Sequence, residues 1–436
     1  MKRIHISKVK ELVGKSVTVS GFIESVRDQG SIAFILLRDI TGKIQVVVSK
    51  EKPELLKIVK GLTTESVVEI TGLVKEEKQA PGGFEIMPSE IIVLSLSEPE
   101  LPIPVVEKGE ETEQQKRLDY RWLDLRKPEK QLIFKVWTTM EQAFREFCIS
   151  EGLIEIHSPK TTVTSTESGS ELFKVKYFDQ EACLVQSPQL YKQMAMAAGF
   201  EKVFEVGPVF RANPSFTSRH DTEFTMYDIE MSFIESHHDL FDFEEKMIQV
   251  MIKAIVEKYG EKIERIYKRK LVVPSIPFPR IAFWEAKKIV KGLGAKSEKE
   301  NDFSPEEERA LGEYIMKKHG HEFVFVYDYP TAVRAFYSMR HEEDPSISKT
   351  FDLLYGGLEI TSGAQREHQY EQLKKQILEK GFKVEPFKSY LDCFRYGCPP
   401  HGGFAPGHTR ILMKIFGINN VREVTYLYRG VNRLTP

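Results

Sequence analysis

The chain has 436 residues, a formal net charge of −2, 41% hydrophobic and 29% charged residues, which describes two or three folded domains and excludes a disordered chain. That balance also excludes nucleic-acid binding by bulk charge, and the first hundred residues, with 14 basic and 14 acidic side chains, are no different. Any such partner has to be recognised by particular residues.

Residues 15 to 96 read as five short strands rich in Val and Ile: VTVSGFIESV, SIAFILLRD, IQVVVSK, VVEITGLVK and FEIMPSEIIVLS. Turn chemistry such as Ile40-Thr41-Gly42-Lys43 separates them, and a helical patch, Lys52 to Leu62, falls between the third and fourth. This order predicts a five-stranded OB-fold barrel over residues 1–100, an architecture whose open face commonly binds oligonucleotides. Phe34 and Gln45 lie on strands two and three, where an aromatic can stack an unpaired base and an amide can read a base edge. The competing reading puts Phe34 in the core and Gln45 in solvent.

Residues 101–130 carry Pro102, Pro104, a charged run and Arg121-Trp122-Leu123-Asp124, and read as a hinge or linker. From Gln131, Ile133, Trp137, Met140, Phe144 and Phe147 recur at steps of three and four, which predicts a helix that Gly152 ends. A strand, LIEIHSPK, follows, and then a Ser/Thr/Gly loop with Glu167 and Glu171, suited to closing over a ligand. Ser187-Pro188 opens a helix that places Gln189 and Lys192 one turn apart on one side.

Lys202 to Phe233 predicts a long antiparallel hairpin. Its first strand ends in Arg211, its loop carries Arg219 and His220, and its return strand opens with Glu223-Phe224. Two guanidinium groups facing across a loop beside an aromatic suit a polyanion carrying a flat ring, such as a nucleoside triphosphate; a solvated hairpin tip is the plainer alternative. Ser236 to Lys258 reads as helix, and about 261–320 as a small surface insertion rich in Lys and Glu. In FDLLYGGLEITSGAQREHQY, Asp352, Glu359, Ser362, Gln365 and Arg366 crowd a short span, and Glu359 with Ser362 could hold a magnesium ion. The last segment, YGCPPHGGFAPGHTRILMKIFG, reads as a bend in which Gly402, Gly403 and Gly407 admit a ligand before Arg410 opens a helix. Cys148, Cys183, Cys393 and Cys398 show no metal-ligand spacing, so free thiols in a reducing cytoplasm are expected. No apolar run has the length of a signal peptide or a membrane span, so a cytoplasmic protein without a membrane partner is expected.

The long helix with its strand, the hairpin and the Gly-rich bend, in that order, resemble motifs one, two and three of the class II aminoacyl-tRNA synthetases. QSPQLYKQ, LEITSGAQRE and a closing NRLTP resemble the archaeal and eukaryotic aspartyl branch of that family. The resemblance covers essentially the whole chain. It implies an α+β fold, an OB barrel followed by a class II catalytic domain over 131–436 with a six- or seven-stranded antiparallel sheet flanked by helices, and a homodimer. It implies ATP, L-aspartate and tRNA as substrates, Mg2+ as cofactor, and anticodon reading by the barrel through Phe34 and Gln45. It places Arg211 on the α-phosphate and on the amino-acid carboxylate, and Arg219 and His220 on the triphosphate. Phe224 meets the adenine, Arg410 the γ-phosphate, and Gly407 lies along the nucleotide. Glu359 and Ser362 ligate magnesium; Glu167, Gln189, Lys192, Arg211, Ser362 and Arg366 bind aspartate; Asp228 and Asp352 are supporting acids. Four positions depart from the family pattern: Asn213 replaces a glutamate, Ala405-Pro406-Gly407 a Gly-hydrophobic-Gly, Thr409 a glutamate, and Tyr428-Arg429-Gly430 a Pro-Arg-Asp. An asparagine-directed paralogue and a tRNA-binding paralogue without ATP turnover are the alternatives that these departures raise.

Overall fold

In a computed structural model, residues 2–106, 109–163, 172–214 and 217–436 are described. The chain divides into two compact units, Met1–Pro128 and Glu129–Pro436.

In the first unit, β1 (Ser16–Asp28), β2 (Ile32–Asp39), β3 (Gly42–Ser49), β4 (Val67–Glu76) and β5 (Phe84–Ser95) close a barrel in the order β1-β2-β3-β5-β4. The helix Pro53–Lys60 joins β3 to β4 and turns Leu56 and Val59 inward. Alternation does the rest: Ile35, Leu37, Ile44, Val46 and Val48 fill the barrel, while the residues between them face out. The stretch from Leu101, expected as a linker, is folded. Ile103, Val105 and Leu123 form a small core of their own, and two short helices, Gln114–Asp119 and Arg121–Asp124, cover it. Lys127 pairs with the fully buried Asp124 at 3.0 Å. An Arg-Trp-Leu-Asp run buries its charges in pairs and its leucine in that core, which a bare hinge could not do.

The second unit is built on an eight-stranded sheet. Its strands in chain order are β6 (Ile154–Glu155), β10 (Lys202–Phe210), β11 (Glu223–Ser232), β12 (Arg280–Ala282), β13 (Phe323–Tyr327), β14 (Thr350–Tyr355), β15 (Leu358–Gln365) and β16 (His401–Pro406). The spatial order is β12-β13-β14-β15-β16-β11-β10-β6. β7 (Thr161–Thr162), β8 (Lys174–Tyr177) and β9 (Gln180–Leu184) form a separate small sheet. Six or seven antiparallel strands were expected. The two outermost pairs, β12 with β13 and β10 with β6, are instead parallel additions at the sheet edges.

The helices Pro128–Ser150 and His238–Tyr267 cover one face of the sheet. Ile133, Met140, Phe144 and Phe147 lie in that core as the periodicity requires, and Gly152, at φ +81°, closes the first helix in the left-handed region. Phe144 stacks on Tyr227 at 4.7 Å between ring centroids. The expected insertion belongs to the sheet. Residues 261–267 continue the long helix, while Phe283, Val290, Leu311 and Ile315 of the helices Phe283–Gly292 and Pro305–His319 pack with Val324 and Val326 of β13. Most of their lysines and glutamates lie on the outer faces of amphipathic helices, while Glu307 is buried and pairs with Lys287 at 2.6 Å.

Glu244, fully buried on the helix His238–Tyr267, has no ion-pair partner among the described residues, and burial pushes its carboxyl up to about 8. Below pH ~4.5 both folded and unfolded chains hold this proton; above that the unfolded chain releases it first, so stability falls until about pH 8 and then levels. Glu244→Gln is expected to raise Tm at pH 8.5, by a gain of a few kcal/mol, and to leave it nearly unchanged at about pH 4. Parallel melting curves of the two proteins across that range check it.

Candidate active site

The ladder between β10 and β11 runs from Lys202↔Met231 to Phe210↔Glu223, and the chain then opens at Arg211, whose N–H donates to Thr222 O at 2.9 Å. The Arg211 guanidinium lies 5.4 Å from the Phe224 ring centroid, and its Nε donates to Gln186 O at 3.4 Å. The far side of the loop is clasped by the end of the chain. Val421 N–H donates to Ser218 O at 2.9 Å, Arg422 Nη2 to Thr217 O at 3.2 Å, and Tyr428 Oη to His220 O at 3.2 Å. Thr222 N–H donates to Arg429 O at 3.1 Å. No sequence signal links residues two hundred positions apart in this way.

Three guanidinium groups converge beyond this loop. Arg219 Nη1 donates to Glu308 Oε2 at 2.8 Å, and Arg410 Nη1 donates to Glu359 O at 2.9 Å with Glu359 Oε1 at 3.3 Å. Burial, and then the fields of Arg410, Arg211 and Arg219, hold the His220 imidazole below its ordinary range. Only cations gathered around one ring act on it together. Burial pushes Glu308 up to about 6, with the charge of Glu359 adding to it and Arg219 opposing. Glu308 comes from the helix expected to be peripheral, and sequence reading gave it no role.

The acidic side of the cleft is set by a bulge. Asp352 faces Ser362 and Leu353 faces Thr361, yet Leu354 faces Glu359, so Ile360 is the extra residue. The slip moves Glu359 onto the face that Asp352 and Ser362 already share. Arg334 braces this corner: Nη1 and Nη2 donate to the two oxygens of Asp352 at 2.9 and 2.6 Å, Nη1 reaches Ser362 Oγ at 3.2 Å, and its Cζ lies 3.7 Å from the Tyr329 ring centroid. Sequence reading gave Arg334 no role. Burial, together with Asp352, raises the Glu359 carboxyl above its usual range, while Arg410 opposes. Two crowded carboxylates and a hydroxyl are hard oxygen donors that suit a divalent cation completing its shell elsewhere. Among the described residues no three or more His, Cys, Asp or Glu side chains gather to hold a metal by themselves.

The inner end is a buried charge cluster. On β11, Tyr227, Ile229 and Met231 enter the core, so Asp228 and Glu230 point the other way. Lys192 Nζ lies 3.1 Å from Asp228 and 3.2 Å from Glu230. Arg366 Nε and Nη2 donate to the two oxygens of Glu230 at 2.9 and 3.3 Å, and Nη2 donates to Gly403 O at 2.8 Å. Burial works against ionised Glu230, but Arg366 and then Lys192 hold its carboxyl below the usual range. Burial raises Asp228, with Lys192 opposing. Arg366 therefore has an acidic partner of its own, which the sequence reading missed; alternation from Asp228 along the strand would have found Glu230.

The Gly-rich stretch is a strand, not a bend. A Cβ on Gly403 would stand 2.0 Å from Ile229 O and 2.3 Å from a Glu230 oxygen, and one on Gly402 2.7 Å from Ile234 Cδ1. These glycines let β16 lie between β11 and β15 and leave room for Glu230; they do not admit a ligand. Gly407 has ordinary space around it, with nothing closer than 3.5 Å to a built Cβ, and it caps the helix His408–Phe416. Pro406 pairs only with Thr361, past the last β11 partner, so it costs the sheet no hydrogen bond. Gly430 is required by Tyr428, whose Oη would stand 2.4 Å from a Cβ there.

Arg211, Arg219, His220, Phe224, Glu359, Gly407, Arg410, Gln189, Lys192, Ser362 and Arg366 all line one cleft of about 350 Å³, together with Asn213, Asp228, Arg334 and Thr409. Glu167 and Glu171 lie outside the described residues. Phe34 and Gln45 sit on the barrel. Both are half-buried on its outer face, in the pairs Phe34↔Val47 and Leu36↔Gln45. Arg27 lies 5.8 Å from the Phe34 ring centroid, and Gln45 Nε2 donates to Glu85 at 3.2 Å. Phe34 is therefore not a core residue.

Residues 113–429 match the model of the tRNA synthetases class II (D, K and N), and residues 17–94 match that of an OB-fold nucleic acid binding domain. The chain is 43% identical over 440 residues to the aspartate–tRNA(Asp) ligase of Pyrococcus abyssi, with 100% of each chain covered. It is 43% identical, again over 100% of both, to the aspartate–tRNA(Asp/Asn) ligase of Archaeoglobus fulgidus. The asparaginyl-tRNA synthetase of Pyrococcus horikoshii, solved with asparaginyl-adenylate, superimposes with a TM-score of 0.92 at 34% identity and 100% coverage of both chains.

Proposed function

Since this chain belongs to the class II tRNA synthetases (D, K and N), we propose that its cleft activates L-aspartate with ATP and passes the aspartyl group to tRNA. The activity is that of an aminoacyl-tRNA ligase with aspartate as the amino acid. Enzymes of this class use ATP and generally Mg2+. The observation that carries the reading is the convergence of Arg211, Arg219 and Arg410 on His220, opposite an inner pocket floored by Lys192 and Arg366. One end of that cleft suits a triphosphate, the other a small dicarboxylate.

In the first step an oxygen of the aspartate α-carboxylate forms a bond to the α-phosphorus of ATP, and pyrophosphate leaves with the electron pair of the broken bond. The carboxylate is ionised near neutral pH, so no general base is required. What the site supplies is alignment and cancellation of charge. Arg211 bridges the substrate carboxylate and the α-phosphate, Arg219 and neutral His220 hold the triphosphate, and Arg410 meets the γ-phosphate. Phe224 stacks the adenine, and Gly407 lies along the nucleotide. Lys192, Arg366, Gln189, Ser362 and Glu167 hold aspartate. Glu359 and Ser362, with Asp352 behind them, would hold Mg2+, which when bound offsets phosphate charge. In the second step a terminal hydroxyl of tRNA attacks the carbonyl carbon of the adenylate and AMP leaves. Phe34 and Gln45 contact anticodon bases.

Exchange of labelled pyrophosphate into ATP is expected with L-aspartate and not with L-asparagine; no exchange with either amino acid overturns the reading. Charging purified tRNAs for aspartate and for asparagine side by side decides whether one acceptor or both are served. The helix Pro128–Ser150 presents a groove lined by Phe134, Trp137, Glu141, Arg145 and Ile149, the last 63% exposed. A second copy of the chain covers it, and sedimentation at twice the chain mass is the expected result. None of the described helices is long and apolar enough to cross a membrane.

A further inference from the structure

Behind the cleft runs a buried polar chain of which the reaction above uses only Gln189. Gln189 Nε2 donates to Gln193 Oε1 at 3.1 Å, one turn along the helix Gln189–Ala197. Gln193 Nε2 meets His401 Nε2 at 3.0 Å, and Tyr390 Oη donates to Gln193 Oε1 at 3.1 Å. His401 Nδ1 lies 2.8 Å from Pro399 O, with Cys398 Sγ, a weak acceptor, at 3.7 Å. Gln193 and His401 are 0% exposed, Tyr390 2% and Gln189 5%, so each of these groups depends on its neighbours for hydrogen bonds.

The chain has only one consistent direction. A carbonyl can only accept, so Pro399 O requires the proton on His401 Nδ1. Burial holds this imidazole down to about 4, so it is neutral and its Nε2 accepts. Gln193 must then turn its NH₂ toward His401 and its Oε1 away, where it accepts from Tyr390 and from Gln189. Gln189 is thereby obliged to spend its NH₂ inward. Its Oε1, which accepts no hydrogen bond among the described residues, is the end left to the cleft that Gln189 lines.

We infer that His401, Gln193 and Tyr390 are positioning residues that turn the Gln189 carbonyl to the cleft, where it receives the ammonium group of the amino-acid substrate. The inference rests on the proposed reaction. Lys192, Arg366 and Arg211 meet the two substrate carboxylates, and the remaining polar group of an α-amino dicarboxylate can only donate. An amide free to flip would offer that ammonium its own NH₂ half of the time.

Succinate, which keeps both carboxylates and lacks the ammonium, separates this role from a structural one. In pyrophosphate exchange, His401→Phe is expected to raise KM for L-aspartate about tenfold, the worth of one hydrogen bond to a charged group, while KM for ATP and inhibition by succinate stay within about twofold. His401→Gln, which restores an acceptor near Nε2, is expected to recover most of that loss. Tyr390→Phe deletes only a hydroxyl and is expected to raise KM for aspartate about threefold, a measurement that stands if His401→Phe does not fold. An unchanged aspartate KM, or aspartate and succinate weakening together, overturns the relay. Wild-type protein without aspartate-dependent exchange would instead count against the reaction itself.

Discussion

Arg366→Leu is expected to abolish aspartate-dependent pyrophosphate exchange and, at the same time, to lower Tm. Sequence reasoning anticipates only the first effect, because there Arg366 is a fork waiting for a substrate carboxylate. In the structure the same guanidinium pairs with Glu230, which is 0% exposed, and donates to Gly403 O. Removing it leaves Glu230 with Lys192 as its remaining cation, and Lys192 is shared with Asp228. Losing one partner of a buried pair costs about 3–5 kcal/mol, because the other charge stays desolvated. Adding Glu230→Leu to Arg366→Leu is expected to return most of the stability and none of the activity. Exchange by the single variant at wild-type rate would remove Arg366 from aspartate selection. A single variant with unchanged Tm would mean that Glu230 finds its stabilisation elsewhere.

Arg211→Ala is expected to lower kcat/KM for exchange by about a thousandfold or more, the scale of removing a group aimed at transition-state charge, while leaving Tm within about a degree or two. Its side-chain contacts among the described residues are slight: a long hydrogen bond to Gln186 O, a weak one to Met226 Sδ at 3.9 Å, and the Phe224 ring. Among the described residues no buried acid pairs with it, in contrast to Arg366. Arg211→Lys keeps the charge but not the planar fork that spans a carboxylate and a phosphate, and is expected to recover only part of the loss. Steady-state exchange and a melting curve for each variant decide it. A tenfold effect or less would take Arg211 off the reacting phosphate.

These two arginines show how differently one residue type can be placed. Both were legible as candidates from their surroundings in the sequence. Neither the pairing of Glu230 with Arg366 nor the emptier setting of Arg211 was legible, because both follow from which strand lies beside which.

Local order determined the elements. Five short Val- and Ile-rich runs around one helical patch give a barrel, steps of three and four from Ile133 to Phe147 give a helix with one buried face, and Arg211 and Phe224 flanking one loop belong to a hairpin. These features depend on neighbours a few positions apart, which periodicity and turn chemistry report directly. Tertiary structure alone decided what stands opposite what. The extra residue Ile360 swings Glu359 onto the side of Asp352 and Ser362; Gly402 and Gly403 make room for other strands; and residues 421–429 clasp the arginine loop. Each depends on register or on a contact between distant parts of the chain. A one-residue slip or a distant partner changes which side chains meet without changing the local pattern that a sequence displays.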